Sequence, residues 1–250
     1  MTNDVPVIAI DGPAASGKGT IAIALAEDLG WHRLDSGLLY RTVAYVIDQW
    51  NLDYSDPETI QDHIRNFLSF SVGENPPNAD SHKQIEFPKV SVHVQIQRLT
   101  GSKVWYNAQE ITPVLRSEHI SRLSSYAARI PTLRNELIPI QRELRQPPGL
   151  VAEGRDMGTV LFPTADLKIF LTADVAVRAQ RRFDQYAKDR KQTYEEILED
   201  LRERDRQDMH RGIAPLKKAE DAIEIDCTYL SVKCVVEKVL QAVPAALKVA

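Results

Sequence analysis

Nine consecutive residues near the start of the chain, Gly12-Pro13-Ala14-Ala15-Ser16-Gly17-Lys18-Gly19-Thr20, have the types and spacing to hold phosphate. Glycine, four residues, then Gly-Lys lets successive backbone N–H groups wrap around phosphate oxygens, and the amino end of a following helix favours the negative charge. Lys18 adds a cation at the β- and γ-phosphates of a nucleoside triphosphate. Where such loops usually carry a Mg²⁺-ligating Ser or Thr, this chain has Gly19. Thr20 is then free to hold a phosphate, and the metal depends on water and on a carboxylate from elsewhere. Glu153, which closes the apolar run Leu150 to Ala152, is one candidate for orienting the hydrated metal, and Asp35 is a second. Either could instead cap a loop N–H.

Arginine supplies the rest of the candidate chemistry. Holding a highly charged phosphate ligand requires fixed cations, and a guanidinium stays charged while offering a planar fork of donors to phosphate oxygens. Thr193-Tyr194-Glu195-Glu196 reads as a capping box, and Ile197, Leu198 and Leu201 supply the apolar positions of the helix it opens. If that helix continues, Arg204, Asp208 and Arg211 share one face. An exposed helix laced with ion pairs would read the same way, and so would Arg178, Arg181 and Arg182 in the helix before it.

The elements that must position these groups are legible as periodicity. Val5 to Ile10 is a short β-branched run, as for a strand buried on both faces of a parallel sheet. After the glycines, Ile21, Leu25 and Leu29, with Ala22 and Ala26, form the apolar stripe of a helix. Further strands are predicted at Leu150 to Ala152, Leu167 to Leu171, Ala222 to Ile225 and around His32 to Leu34, with helical patterns between them. A last helix should begin after Ser231. Pro131 suits a first helical position, and Leu133, Leu137, Ile140 and Leu144 trace a stripe that leaves Arg134 off the core-facing row. Pro139 should kink or reset that helix. Residues 68 to 110 break the rhythm: Glu74 to His82 is polar with a Pro-Pro pair and reads as mobile, and Val90, Val92, Val94 and Ile96 then alternate with polar residues. That period of two predicts a half-exposed antiparallel strand in a small β insertion.

A chain of 250 residues with 43% hydrophobic content can fill one large α/β core. Its net charge of −4 gives no general attraction to nucleic acid or to an anionic membrane, so anion binding must be local. Cys227 and Cys234 are expected to be buried free thiols, and no His/Cys metal spacing occurs. The opening MTNDVPVIAI lacks the basic start and longer apolar stretch of a signal peptide, and no segment has about 18 consecutive apolar residues, so the expected location is cytoplasmic.

The GxxxxGKGT loop is similar to the version found in nucleoside-monophosphate kinases. Together with Asp35-Ser36-Gly37-Leu38-Leu39-Tyr40-Arg41, Gly154-Arg155-Asp156-Met157-Gly158-Thr159 and Arg204-Asp205-Arg206-Gln207-Asp208 through Arg211, the chain resembles the bacterial cytidylate kinase family along nearly its whole length. By that resemblance the insertion departs from the family in being longer around Glu74 to His82. The resemblance implies a three-layer α/β/α P-loop NTPase fold with a parallel sheet: a core over 1–67 and 111–250, a β-containing insertion binding the nucleoside monophosphate over 68–110, and an Arg-rich lid over 176–213. It implies ATP as co-substrate, Mg²⁺ as cofactor, CMP and dCMP as acceptors, no nucleic-acid or membrane partner, and a monomer.

By the same resemblance, Arg41 and Arg155 hold the acceptor phosphate, Asp35, Ser36 and Tyr40 lie in the acceptor site, and Ser125, Arg134 and Asp156 read the base. Arg204 and Asp208 hold the ribose side, Arg211 meets the phosphates, and Arg178, Arg181 and Arg182 are lid contacts. Lys18, Arg155, Arg204 and Arg211 are then the catalytic set. The rival readings are a kinase of the same architecture acting on AMP or shikimate, and a nucleotide switch that hydrolyses triphosphate slowly, against which Gly19 stands.

Overall fold

The computed structural model describes residues 5–73, 90–95, 103–107, 109–185 and 192–247. At its centre is β1 (Val7–Asp11), an apolar strand buried at every position. It is flanked by β7 (Leu150–Gly154) and β8 (Leu167–Thr172), with β2 (His32–Asp35) and β9 (Ile223–Asp226) outside them. All four pairings in this five-stranded sheet, ordered β2-β7-β1-β8-β9, are parallel.

Strand alternation separates two apolar layers. Ile8 and Ile10 face one side, where Ile21, Leu25 and Ala26 of α1 (Lys18–Leu29) meet Val235, Val236 and Val239 of α8 (Val232–Ala242). Val7 and Ala9 face the other, where α2 (Ser36–Gln49), α3 (Pro57–Phe67), α4 (Glu118–Ala127) and α5 (Pro131–Glu143) pack. The result is the three-layer α/β/α fold. A third, smaller cluster joins Ala14 to Ala179 of α6 (Val175–Gln185) and to Ile197 and Leu201 of α7 (Tyr194–His210), so the Arg-rich helices rest on the glycine loop itself.

The caps follow the sequence. Ser231 accepts from Cys234 N at the start of α8, and Thr193 and Glu196 form the full capping box of α7. Helix α5 continues through Pro139, so the proline does not restart it; that residue and Asn135, whose carbonyl loses its donor, lie on the exposed face where water can substitute. Cys227 is a buried free thiol as expected, whereas Cys234, in the first turn of α8, is only half-buried.

The second sheet contains β3 (Leu68–Gly73), β4 (Val90–Gln95), β5 (Lys103–Tyr106) and β6 (Gln109–Glu110) in sequence order. The predicted strand β4 is antiparallel to β5 but parallel to β3, so the sheet is mixed. Val92 and Val104 enter the same apolar layer as α2 and α4. The segment Glu74 to His82 and position Ile96 lie outside the described residues. Among the described residues, no helix is long and apolar enough to cross a membrane.

Candidate active site

The carboxyl ends of β1 and β7 lie side by side, with Asp11 in register with Gly154, and a cleft of about 520 Å³ opens above them. Ligands of open α/β sheets bind at such strand ends. Ala14 to Thr20 line this cleft, while Gly12 and Pro13 lie outside its lining. Gly12 has φ +153°, and a Cβ there would lie 2.2 Å from the Leu171 carbonyl oxygen, so no other residue fits. Lys18 is buried and donates to Pro13 O at 2.6 Å and Ser16 Oγ at 3.3 Å. Burial and Arg155 push its ammonium well below the usual range, against the pull of Glu153, Asp11 and Asp208.

On the opposite wall Asp35 caps α2 through Leu38 N (2.9 Å) and accepts from Arg41 (3.0 Å). Burial would raise its pKa, but Arg41 and Arg33 hold it low. Ser36 and Tyr40 line the same wall, with the Arg134 guanidinium 5.7 Å above the Tyr40 ring. Burial raises the Tyr40 hydroxyl to about 12, which keeps it a donor. Ser125 of α4 reaches the cleft half-buried.

Arg155 and Asp156 occupy the connection between β7 and a single π-helical turn, Met157–Leu161, a rare geometry that recurs at functional sites. Asp11 fixes this connection by accepting from Met157 N and Gly158 N, both at 2.8 Å. One carboxylate therefore ties the phosphate loop's strand to the loop carrying Arg155 and Asp156. Asp156 pairs with Arg134, and its other oxygen is 3.7 Å from Arg211. Arg134 is thus buried against a carboxylate, which corrects its reading as a residue off the core-facing row.

From the lid side, Asp208 accepts from Arg155 Nε at 2.7 Å, and Arg204 donates to Ser121 Oγ at 2.7 Å. Asp208 stays below the usual carboxylate range despite burial, because Arg155 and Arg204 face it. Burial, then Arg155, lower Arg204 to about 10. Arg211 reaches the cleft although α7 stops at His210 and Arg211 itself is extended, so the shared face arises from the helix end plus a turn. Arg182 lines the cleft and pairs with Glu118.

The structure places the other two expected lid contacts outside the cleft lining. Arg178 is a buried strut that donates to Ala14 O at 3.0 Å and Asp205 at 2.6 Å, fastening α6 to the glycine loop. Arg181 points away from the cleft and donates to Cys227 O at 2.6 Å. Sequence reasoning missed Asp11 and Arg33. The signals were available in a carboxylate that ends a wholly apolar strand and an arginine two residues before Asp35 in a strand of alternating burial.

For a magnesium ion, among the described residues no group of three or more His, Cys, Asp or Glu side chains could form a cage. Mg²⁺ needs none when it keeps its waters and bridges phosphates, taking one or two carboxylates at most. Glu153 fits that part, since its oxygens lie 3.3 and 3.4 Å from where a Cβ on Gly19 would be. The carboxylate borders the space that the usual loop hydroxyl would enter.

The pH dependence of stability tests the role of Asp11. Burial pushes its pKa up from 3.8 to about 6, with the Gly158 and Met157 N–H groups opposing. A carboxyl harder to ionise in the folded chain contributes stability that is full below about pH 4 and lost as pH rises through about 6. The urea midpoint of the parent, taken relative to Asp11→Asn, should therefore fall across that window, by up to about 3 kcal/mol in stability. A difference that is flat with pH would show a carboxylate already ionised at pH 4.

The family model described as cytidylate kinase matches residues 8–245. Curated cytidylate kinases of Pseudomonas aeruginosa (strain UCBPP-PA14) and Stutzerimonas stutzeri (strain A1501) are each 40% identical, covering 96% and 97% of both chains respectively. That of Colwellia psychrerythraea is 39% identical over 96% of both. A crystal structure of TT1252 from Thermus thermophilus aligns with 96% of this chain and 99% of its own, at 15% identity and a TM-score of 0.42. A phosphate loop facing an arginine-lined cleft and a family match over almost the whole length agree: the chain belongs to the cytidylate kinase family, which phosphorylates CMP to CDP with ATP.

Proposed function

We propose that the cleft holds ATP along Ala14 to Thr20 and CMP or dCMP against Arg41, Arg155 and Asp156, and aligns them for direct in-line transfer. The observation that carries this reading is a set of buried guanidinium nitrogens in residues that line the cleft. Arg33 Nε, Arg41 Nε, Arg204 Nε and Arg211 Nη2 have no hydrogen-bond acceptor among the described residues. Buried donors of this kind are costly unless an anion meets them, and the phosphates of two nucleotides supply the acceptors.

Lys18 and Arg155 would take up charge at the transferring phosphoryl group, while Arg204 and Arg211 approach it from the lid. Magnesium, held through water by Glu153 with Asp35 nearby, would neutralise the phosphate charge that these side chains leave. Asp156, lying between Arg134 and Arg211, would accept a hydrogen from the exocyclic amino group of cytosine, with Ser125 beside it. The β sheet of 68–110 is assigned to the acceptor side. The net charge of −4 gives no general attraction to nucleic acid or an anionic membrane, and the protein is read as a cytoplasmic monomer without such partners.

Initial rates of ADP formation over CMP, dCMP, UMP, AMP and shikimate at saturating MgATP test the assignment. CMP and dCMP should be the best acceptors. ADP formed equally fast with and without CMP would favour a slow hydrolase.

Lid closure gives a separate expectation. Residues 176–213 would act as the lid, whose arginines hold Glu118 and Ser121 of α4 across the cleft edge. Binding both nucleotides should exchange these for phosphate contacts and exclude water. Hydrogen exchange across 178–212 should slow when ATP and CMP are added together, and an unchanged window counts against a moving lid.

A further inference from the structure

We propose that Arg33 is a resident counter-cation of Glu153 and sets how tightly the cleft takes up the divalent cation that accompanies ATP. The inference rests on the placement of Mg²⁺ near Glu153 given above. Strand β2 alternates, so Arg33 and Asp35 project to the same side of the sheet while His32 and Leu34 are buried. Pairing of β2 with β7 sets Asp35 in register with Glu153 and Arg33 with Val151, so the long Arg33 side chain runs along the sheet to the carboxylate. Its Nη2 reaches Glu153 Oε1 at 2.5 Å and lies 3.6 Å from Asp35 Oδ2. Both partners of the Glu153 pair are nearly buried, with side chains 11% and 9% exposed.

Gly19 completes the unit. A Cβ on Gly19 would lie 3.3 Å from Glu153 Oε1 and 3.8 Å from Arg33 Nη2. The residue at this loop position and the ion pair therefore border one space, and a side chain there would be a tight contact for the Glu153 carboxylate. A guanidinium and a hydrated divalent ion both seek the same carboxylate, and they repel each other at short range in a poorly solvated corner. Arg33 thus competes for Glu153 and adds a like charge beside the metal.

The test is Mn²⁺ affinity measured by electron paramagnetic resonance at pH 8, with the protein saturated in a non-hydrolysable ATP analogue. Arg33→Gln and Arg33→Met should each tighten Mn²⁺ by roughly tenfold, the scale of losing one unit charge at a partly wet site. Arg33→Lys, which keeps the charge, should stay within about threefold of the parent on the same argument. Unchanged or weaker Mn²⁺ binding in a folded neutral variant overturns the proposal and leaves Arg33 as a residue that only orients Glu153. If neither neutral variant folds, as judged by far-ultraviolet circular dichroism, Arg33 is holding structure and the proposal fails. A parent protein with no nucleotide-dependent Mn²⁺ site removes the metal placement itself, which is distinguishable from a site that is present but indifferent to Arg33.

Discussion

Replacing Lys18 by alanine is expected to lower turnover at saturating ATP and CMP by about 10² to 10³, the usual cost of one preorganised donor at developing charge. The lysine is the first residue of α1 and its ammonium is folded against the loop, on Pro13 O and Ser16 Oγ. Its charge is expensive to keep there, because burial and Arg155 both act against the protonated form. Such a cost is tolerated at a position where phosphate charge is to be met. Removing the group relieves the cost, so the melting temperature should change little while catalysis collapses. Turnover within threefold of the parent would sink the assignment of the loop to the reacting phosphates.

Asp156→Asn should change which base the enzyme accepts. An ionised carboxylate only accepts hydrogen bonds, so it matches the amino group of cytosine and opposes the carbonyl oxygen that uracil presents in its place. In the fold Asp156 lies between two guanidiniums, paired with Arg134 through one oxygen and 3.7 Å from Arg211 through the other. Asparagine can keep its carbonyl toward Arg134 and turn the amide toward the base, where it would donate to uracil. The CMP-to-UMP ratio of kcat/KM is then expected to fall at least about tenfold, since a site that requires one polar match can discriminate by as much as about 10⁴ to 10⁵. Breaking a buried ion pair will also cost stability. The ratio is insensitive to that loss, because both substrates are measured on one preparation. Equal losses on both nucleotides would reassign Asp156 to holding phosphate geometry.

Much of the scaffold was legible before folding. The β-branched run of β1, the glycine loop, the stripe of α1, the capping box of α7 and the Ser231 cap of α8 are signals that neighbouring residues carry within one or two turns of chain. They fix which elements exist and, through parallel strand alternation, the order in which phosphate loop and lid must come together. Strand β4 was legible as a strand but not as the middle of a mixed sheet, because the alternation of one strand says nothing about the direction of its partners.

The charged side chains divide the two kinds of information most clearly. Composition and spacing identified the arginines and carboxylates, but their partners arrive from far along the chain. Arg134 is buried only because Asp156 comes to it from the loop after β7, and Arg33 becomes part of the site only when β7 lays Glu153 beside β2. Arg178 and Arg181 look like further lid cations in sequence, yet one braces the glycine loop and the other the end of β9. A local pattern can show that a residue is charged and where it sits on its own helix or strand. Whether that charge is solvated, paired or aimed at a ligand depends on groups brought within a few ångströms by tertiary packing, where desolvation and Coulomb attraction are strong enough to decide.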